Sequence, residues 1–477
     1  MLLRRFYDTR LAQASYLVGC QRTGEALIID PSRDIEPYLA AVKAEGMRLT
    51  HITETHIHAD FLSGARELAA VSKAQLYLSD EGGSDWRYAF AAESAAVLVK
   101  DGSTFKVGNI RIDVLHTPGH TPEHISFMIT DGAATDRPMG VFSGDFIFVG
   151  DVGRPDLLEK AAGVKGTMES GARQLYASLQ RFKQFPDYLQ LWPAHGAGSA
   201  CGKALGAVPS STLGYERFAN WGLTAPSEDA FVQLVLEGQP EPPAYFAQMK
   251  RLNRDGPPPR PKKRPDPVAD GALRSLVAGG SLVVDARKTA EFAAGHVRGT
   301  LNIPFGNSFP TYAGTLLPFD QPIYLIVAEA QLDDALVSLY SIGLDQVAGW
   351  FAPAAVAAAG ELDRTTQVTP QDAAARVAAG AAVVLDVRKR SEWDEGHLAG
   401  AIHVPLGDVP GAVSSLPTGT TIILQCESGS RSAIAASVLR ARGRHDIANL
   451  SGGINAWKNA GLPVEREAGV AAGAGGS

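Results

Sequence analysis

Four short segments carry the residue types that could bind a metal ion. THIHADF places His56, His58 and Asp60 at alternate positions directly after an apolar, alternating run. A loop leaving a strand would therefore bring imidazoles and a carboxylate towards one point. His120 in TPGHT (117–121), Asp145 in SGD (143–145) and His195 in PAHG (193–196) supply further donors. Neutral imidazole with carboxylate is a donor set for a divalent cation. A single histidine is more often structural, but four motifs of this kind argue for a metal. Gly119 and Gly144 would let the backbone turn close to the ion. His116 and His124, four residues either side of His120, are read as structural. PAHGAGSACGK adds Cys201 and Lys203 on a glycine-rich loop expected at the metal mouth. There the ammonium would lower the thiol pKa and make Cys201 a candidate relay for substrate sulfur; the alternative is a buried spectator.

A second chemistry lies near the C-terminus. The strand-like TTIILQ runs into CESGSR and then a helical SAIAASVLRARG. A turn between a strand end and a helix start aims backbone N–H groups and the positive helix end at the sulfur of Cys426. That favours a thiolate or a cysteine persulfide. Glu427, Ser428, Gly429 and Ser430 form the turn, Gly429 permitting its tightness, and Arg431 adds positive charge for an anionic sulfur donor such as thiosulfate or sulfite. A phosphatase of C-x5-R type is the close alternative, but four residues separate Cys426 from Arg431 here.

The elements that must position these residues fall into blocks. The chain has 477 residues, 45% hydrophobic and 20% charged, with 44 basic against 51 acidic side chains and a net charge of -7. It is long enough for about three domains and lacks a basic field for nucleic acid. Three cysteines cannot form a disulfide framework. Neither a secretory leader nor an apolar stretch of membrane-spanning length is apparent, so a cytoplasmic protein without membrane association is expected. Residues 1–254 form the first block, whose first 110 residues give short strand-like runs with helical patterns between some of them, strands dominating, which suggests mixed sheets covered by helices, in an α+β or αββα layering. The proline-rich segment 255–267 reads as an extended linker. Beyond it, VVDARKTAEFAAGHVRGTLNIP from Val283 aligns without gaps to VLDVRKRSEWDEGHLAGAIHVP from Val384, an offset of 101. That marks two copies of an α/β domain, over 268–360 and 366–466, followed by a small-residue tail at 467–477. Aligning strand ends puts Ala328 of the middle copy where Cys426 stands and Asp333 where Arg431 stands, so the middle copy is expected to lack a nucleophile.

The motifs of the first block resemble the metallo-β-lactamase superfamily, and PAHG points to its glyoxalase II branch. The resemblance implies an αββα fold. In that branch the first motif continues with a histidine for a second metal; here Phe61 stands in its place, so a mononuclear centre is expected. With GDVGRPDLL (150–158), the segment looks like the persulfide dioxygenase family. This implies one Fe(II) per chain on His56, His120 and Asp145, with zinc the alternative ion. His58, Asp60 and His195 would then stand behind the ligands, and Arg154 and Lys203 become candidates for binding substrate. The last copy, through D-x-R at Asp386–Arg388, EGHLAGAIHVP, C-x-x-G-x-R and LSGGINAWKNAGLPV, resembles the rhodanese sulfurtransferases. The middle copy resembles an inactive one, both with parallel α/β sheets. Together the resemblances imply oxidation of a small persulfide, of glutathione or coenzyme A type, by O2 to sulfite, with sulfur transfer through Cys426 linking sulfite and thiosulfate, and a homo-oligomer. The rival expectations are a zinc thioester hydrolase of glyoxalase II type and a non-enzymatic sulfur carrier or sensor.

Overall fold

The computed structural model describes residues 1–162, 166–203, 205–239 and 241–466; the expected tail at 467–477 lies outside the described residues. The chain forms two compact units, Met1–Lys262 with Val337–Asp345, and Lys263–Leu336 with Gln346–Ser477.

The first unit holds two six-stranded sheets. The strands of one follow chain order from Leu2–Asp8 to Val97–Val99. The other runs from the edge pair Thr104–Val107 and Ile110–His116 through Ile125–Asp131 and Gly140–Gly144 to Gln190–Pro193 and Ser211–Thr212. The strand Gln13–Cys20 is buried at every residue, and its period of two shows why. Ala14, Tyr16, Val18 and Cys20 pack between the sheets against Ile112, Val114 and Phe127, whereas Leu17 points into a helix-covered core with Tyr38 and Leu68. On the outer face of the second sheet the helix Thr167–Phe182 lays Ala172, Leu175, Leu179 and Phe182 against Val141 and Leu191, a spacing of three and four residues that keeps them on one stripe. Helix, sheet, sheet, helix is the resulting layering. Among the described residues no helix is long and apolar enough to cross a membrane.

The second unit contains the repeat as two parallel sheets, of four and five strands. The repeated residues hold the fold identically in both copies. Arg287 clasps Asp285 and donates to the Gly295 carbonyl (3.0 Å), as Arg388 clasps Asp386 and donates to Gly396 (2.8 Å). His296 stacks on Phe292 at 3.9 Å and His397 on Trp393 at 3.7 Å. The copies also pack on each other: Leu301, Tyr312 and Leu316 of the middle copy join the core that contains Cys426, and Asn302 donates its N–H to Ser437 (2.9 Å).

One alignment is corrected by the strand register. Asp285 pairs with Ile326 as Asp386 pairs with Gln425, so Val327, and not Ala328, follows the strand where Cys426 does. The next helix begins at Glu329 in the middle copy but at Ser430 in the last. The middle copy therefore has two residues between strand and helix against four, a loss of length that a gap-free alignment hides. Asp333 lies along that helix, paired with Arg264 at 3.2 Å, not at a site equivalent to Arg431.

Candidate metal centre and sulfur-transfer loop

The metal-type residues meet where strands of the first unit end. His56 and His58 follow Arg48–Thr53, His120 follows Ile110–His116, Asp145 follows Gly140–Gly144, and His195 follows Gln190–Pro193. One donor atom each from His56, His120 and Asp145 lies within 4.8 Å of the others, all buried. Asp145 Oδ2 is 3.5 Å from His120 Nε2 and 4.0 Å from His56 Nε2. The far nitrogens are occupied. His120 Nδ1 donates to the Arg154 carbonyl (3.1 Å) and His195 Nδ1 to the Ala12 carbonyl (2.9 Å), while His56 Nδ1 meets Thr55 Oγ1 (3.0 Å), itself a donor to Asp30 (2.9 Å). Such partners fix ring and tautomer so that Nε2 presents a lone pair. Burial, reinforced at His56 by neighbouring imidazoles, pushes the His56 pKa well down; burial also lowers that of His120. Both are neutral, as ligands must be.

Both carboxylate oxygens of Asp145 and Nε2 of His195 are buried without a hydrogen-bond partner. An uncompensated buried carboxylate is costly, and a divalent cation is the compensation this donor set fits. Gly144, at φ +52°, has no room for a side chain: a Cβ would stand 2.6 Å from His124 Nε2 and Thr55 Oγ1. His124 is fully committed, its Nε2 accepting the Asp145 N–H (3.0 Å) and its Nδ1 meeting Thr117 Oγ1 (2.8 Å). His116 turns to the Pro122 carbonyl (2.8 Å).

Next to this set lies another, Asp60, His195 and Cys201, again with donors within 4.8 Å. His195 Nε2 is 3.4 Å from Asp60 Oδ2 and 3.5 Å from Asp145 Oδ1. His58 belongs to neither. Its Nε2 pairs with Asp30 at 3.2 Å and its ring packs on Phe61 at 4.4 Å; burial opposes its charge, but Asp30 and Glu54 outweigh it and raise the pKa to about 9.

Three expectations about this region are corrected. Arg154 is fully buried and clasps Asp156 at 2.8 and 2.7 Å while donating to the Ala200 carbonyl (2.9 Å); it anchors the cysteine-bearing loop and does not face substrate. Lys203 lies over the Trp221 ring at 4.3 Å and donates to the Leu234 and Glu237 carbonyls. It therefore does not activate Cys201, whose pKa is pushed well up by burial and by Asp60 and Asp145.

In the second unit Cys426 is 1% exposed. Its Sγ accepts from the Gly429 N–H (3.1 Å) and from Ser432 Oγ (3.5 Å), Gly429 turning the chain at φ +93°. Ser428 and Ser430 face each other at 3.5 Å. Arg431 is gripped by Glu392 through two bonds of 2.6 Å, with Glu427 at 3.7 Å. Sequence reasoning missed Glu392, Ser432 and Asp30. Glu392 had a signal, since the repeat puts Glu291 at the matching place; Asp30 had none.

Comparison with known proteins agrees with this geometry. A metallo-β-lactamase from Staphylococcus aureus subsp. aureus COL shares 44% identity at a TM-score of 0.67, over 74% of this chain and 99% of that one. The chain belongs to the metallo-β-lactamase superfamily. The superfamily match itself spans residues 8–195, and a rhodanese-like domain matches 369–460. Within the superfamily, the chain is 30% identical to a hydroxyacylglutathione hydrolase of Rhodospirillum rubrum, over 38% of this chain and 60% of that protein's length. It is 26% identical to the mitochondrial persulfide dioxygenase of Homo sapiens, over 49% of this chain and 80% of that one. This superfamily member thus carries a metal-type site and a rhodanese-like domain on one chain.

Proposed function

We propose that the chain oxidises a low-molecular-weight persulfide with O2 at a single iron to give sulfite, and that Cys426 carries sulfur between persulfide, sulfite and thiosulfate. The observation that carries this reading is the complete His56–His120–Asp145 donor set beside Phe61, which replaces the next donor with a phenyl ring. A rhodanese-like loop on the same chain and the similarity to a persulfide dioxygenase support it. The domains follow as 1–254 for oxidation, 255–267 as linker, 268–360 as a rhodanese-like copy without a nucleophile and 366–466 as the transferase, in a cytoplasmic homo-oligomer.

Two imidazoles and one carboxylate suit Fe(II) or zinc; iron held there would activate O2 and leave positions for a substrate sulfur. The chain's own residues do the rest. Thr55 and the Arg154 carbonyl orient the two imidazoles. His58, held charged by its pairing with Asp30, lies with its ring 4.3 Å from that of His56 and would serve as a proton reservoir. Phe61 and Phe148, both buried, keep bulk water away.

A second reading has a specific observation behind it. Asp60 and His195 stand ready as a further donor pair, and the similarity to a hydroxyacylglutathione hydrolase fits a two-zinc thioester hydrolase. Metal analysis with oxygen uptake separates the two. About one iron per chain and O2 consumption on glutathione or coenzyme A persulfide support the dioxygenase; two zinc ions and hydrolysis of a glutathione thioester without O2 uptake would replace it. A non-enzymatic carrier or sensor would turn over neither.

A further inference from the structure

The positive charge at the sulfur-transfer loop is already engaged. Arg431 is the second residue of the helix Ser430–Ala441, and its two terminal nitrogens each meet one oxygen of Glu392 at 2.6 Å. A second carboxylate, Glu427, lies 3.7 Å away. Burial pushes the Glu392 pKa up, but the hydrogen bonds and charge of Arg431 outweigh it and hold the group below the usual carboxylate range. It stays ionised.

Glu392 is also tethered from behind. Its Oε2 accepts the Lys389 N–H (3.2 Å), capping the helix Arg390–Asp394, and its carbonyl accepts from Arg388 (2.9 Å). The middle copy has the same cap, Glu291 accepting the Lys288 N–H (3.0 Å), although its strand–helix turn is two residues shorter. Capping is thus the shared structural duty of this glutamate, and gripping the loop arginine is an addition in the copy that has the cysteine.

We propose that Glu392 is a specificity-determining residue of this loop: by occupying both arms of Arg431 it disfavours dianionic sulfur oxyanions such as thiosulfate and leaves the loop suited to a singly charged thiol persulfide as sulfur donor. The inference rests on the sulfurtransferase reading of Cys426 and adds a direction to it. The Cys426 thiolate attacks the outer sulfur of R–S–SH; the S–S bond breaks, its electron pair leaves with RS⁻, which takes up a proton, and Cys426 becomes Cys–S–SH. Sulfite, partly protonated near neutral pH, then attacks that outer sulfur through its lone pair; the S–S bond breaks, its electron pair stays on Cys426 as the thiolate, and the transferred sulfur releases its proton to leave the thiosulfate dianion. Electrons balance without an external oxidant. Thiosulfate remains a dianion, so the carboxylate opposes its return and favours its release. Coulomb energy scales with charge, so thiosulfate is opposed about twice as strongly as the R–S–S⁻ end of a persulfide, which takes up a proton to react as R–S–SH.

The test is sulfur transfer to cyanide by the full chain, with thiosulfate or glutathione persulfide as donor. Glu392→Gln keeps an oxygen for the helix cap while removing the charge. The expected result is a fall of about fivefold in KM for thiosulfate, the equivalent of about 1 kcal/mol for a partly exposed ion pair, with a change of about twofold or less for persulfide. Glu427→Gln, altering a more exposed carboxylate outside the cap, should move the same ratio in the same direction by less. An unchanged donor ratio in both variants, or a rise in KM for thiosulfate, overturns the inference. Absence of transfer from either donor in the unaltered protein instead overturns the sulfurtransferase reading beneath it.

Discussion

Gly153 lies against the metal-type site from a segment that contributes no ligand. Its N–H donates to the Phe146 carbonyl (3.1 Å), and a Cβ added there would stand 1.8 Å from the backbone oxygen of Asp145 and 3.0 Å from the Cβ of His120. An ordinary carbon–oxygen approach is about 3.3 Å, so Gly153→Ala must displace the backbone that carries Asp145 by about 1.5 Å. Metal sites tolerate deviations of about 0.2 Å in ligand distance. The displacement exceeds that several-fold, and metal affinity should fall by at least about 100-fold, the upper end of what loss of a supporting contact costs. Overpacking should also destabilise the first unit by about 1–3 kcal/mol. Gly150→Ala is the matched control. That glycine sits at φ +78° with nothing within 4 Å of its virtual Cβ, so alanine should cost about 1 kcal/mol of backbone strain and leave the metal in place. Chelator competition on iron-loaded protein, with thermal unfolding alongside, measures both quantities. If Gly153→Ala retains the metal as tightly as the parent, Asp145 is not a ligand in the geometry described.

Three further outcomes are expected. His120→Ala should abolish metal retention and O2 uptake while leaving thiosulfate–cyanide sulfur transfer unchanged, as measured on one preparation. Cys426→Ser should eliminate that transfer, leaving sulfite as the end product of persulfide oxidation, and adding Val327→Cys or Ala328→Cys should not restore it; recovery of thiosulfate output would show that the shorter loop can still cradle a sulfur. Burial raises the Glu123 pKa from 4.5 to about 7, so the folded state holds that proton more tightly than the unfolded chain. Its contribution is intact below about pH 4.5 and is lost as pH rises through about 7, by up to about 3 kcal/mol. Glu123→Gln, which can still accept from Ile57 (2.8 Å), should therefore raise the melting temperature of metal-free protein more at pH 8 than at pH 5; an equal change at both would refute the buried-acid account.

Residues close in sequence were the legible ones. His56, His120, Asp145 and His195 sit in compact motifs at strand ends; alternation suggested helix-covered sheets, the family resemblance supplied the αββα layering, and internal similarity supplied the parallel repeat. What stayed hidden depends on partners far along the chain. Asp30 reaches His58 and Thr55 across more than twenty residues, and Ala12 reaches His195 across 183; no local pattern encodes either. Lys203 misled because closeness in sequence to Cys201 suggested closeness in charge, whereas the side chain turns to Trp221. Arg154 misled because a cationic residue in a motif invites a substrate, while its actual partner, Asp156, is two positions away. The repeat misled at the end of the central strand, which stops at Ile326, one residue before the alignment of strand ends placed it, and in the turn that follows, which is two residues shorter than its counterpart.

That shorter turn bears on how the chain can change. A cysteine can be supplied by a single codon change, but the middle copy has only two residues between strand and helix where the last copy has four to surround the sulfur. Gaining chemistry there would require an insertion in the correct frame together with new side chains, a far rarer event. The contacts of Asp285, Arg287 and His296 nonetheless match those of their counterparts in the last copy, so the two copies share a scaffold and differ at the turn that follows the central strand.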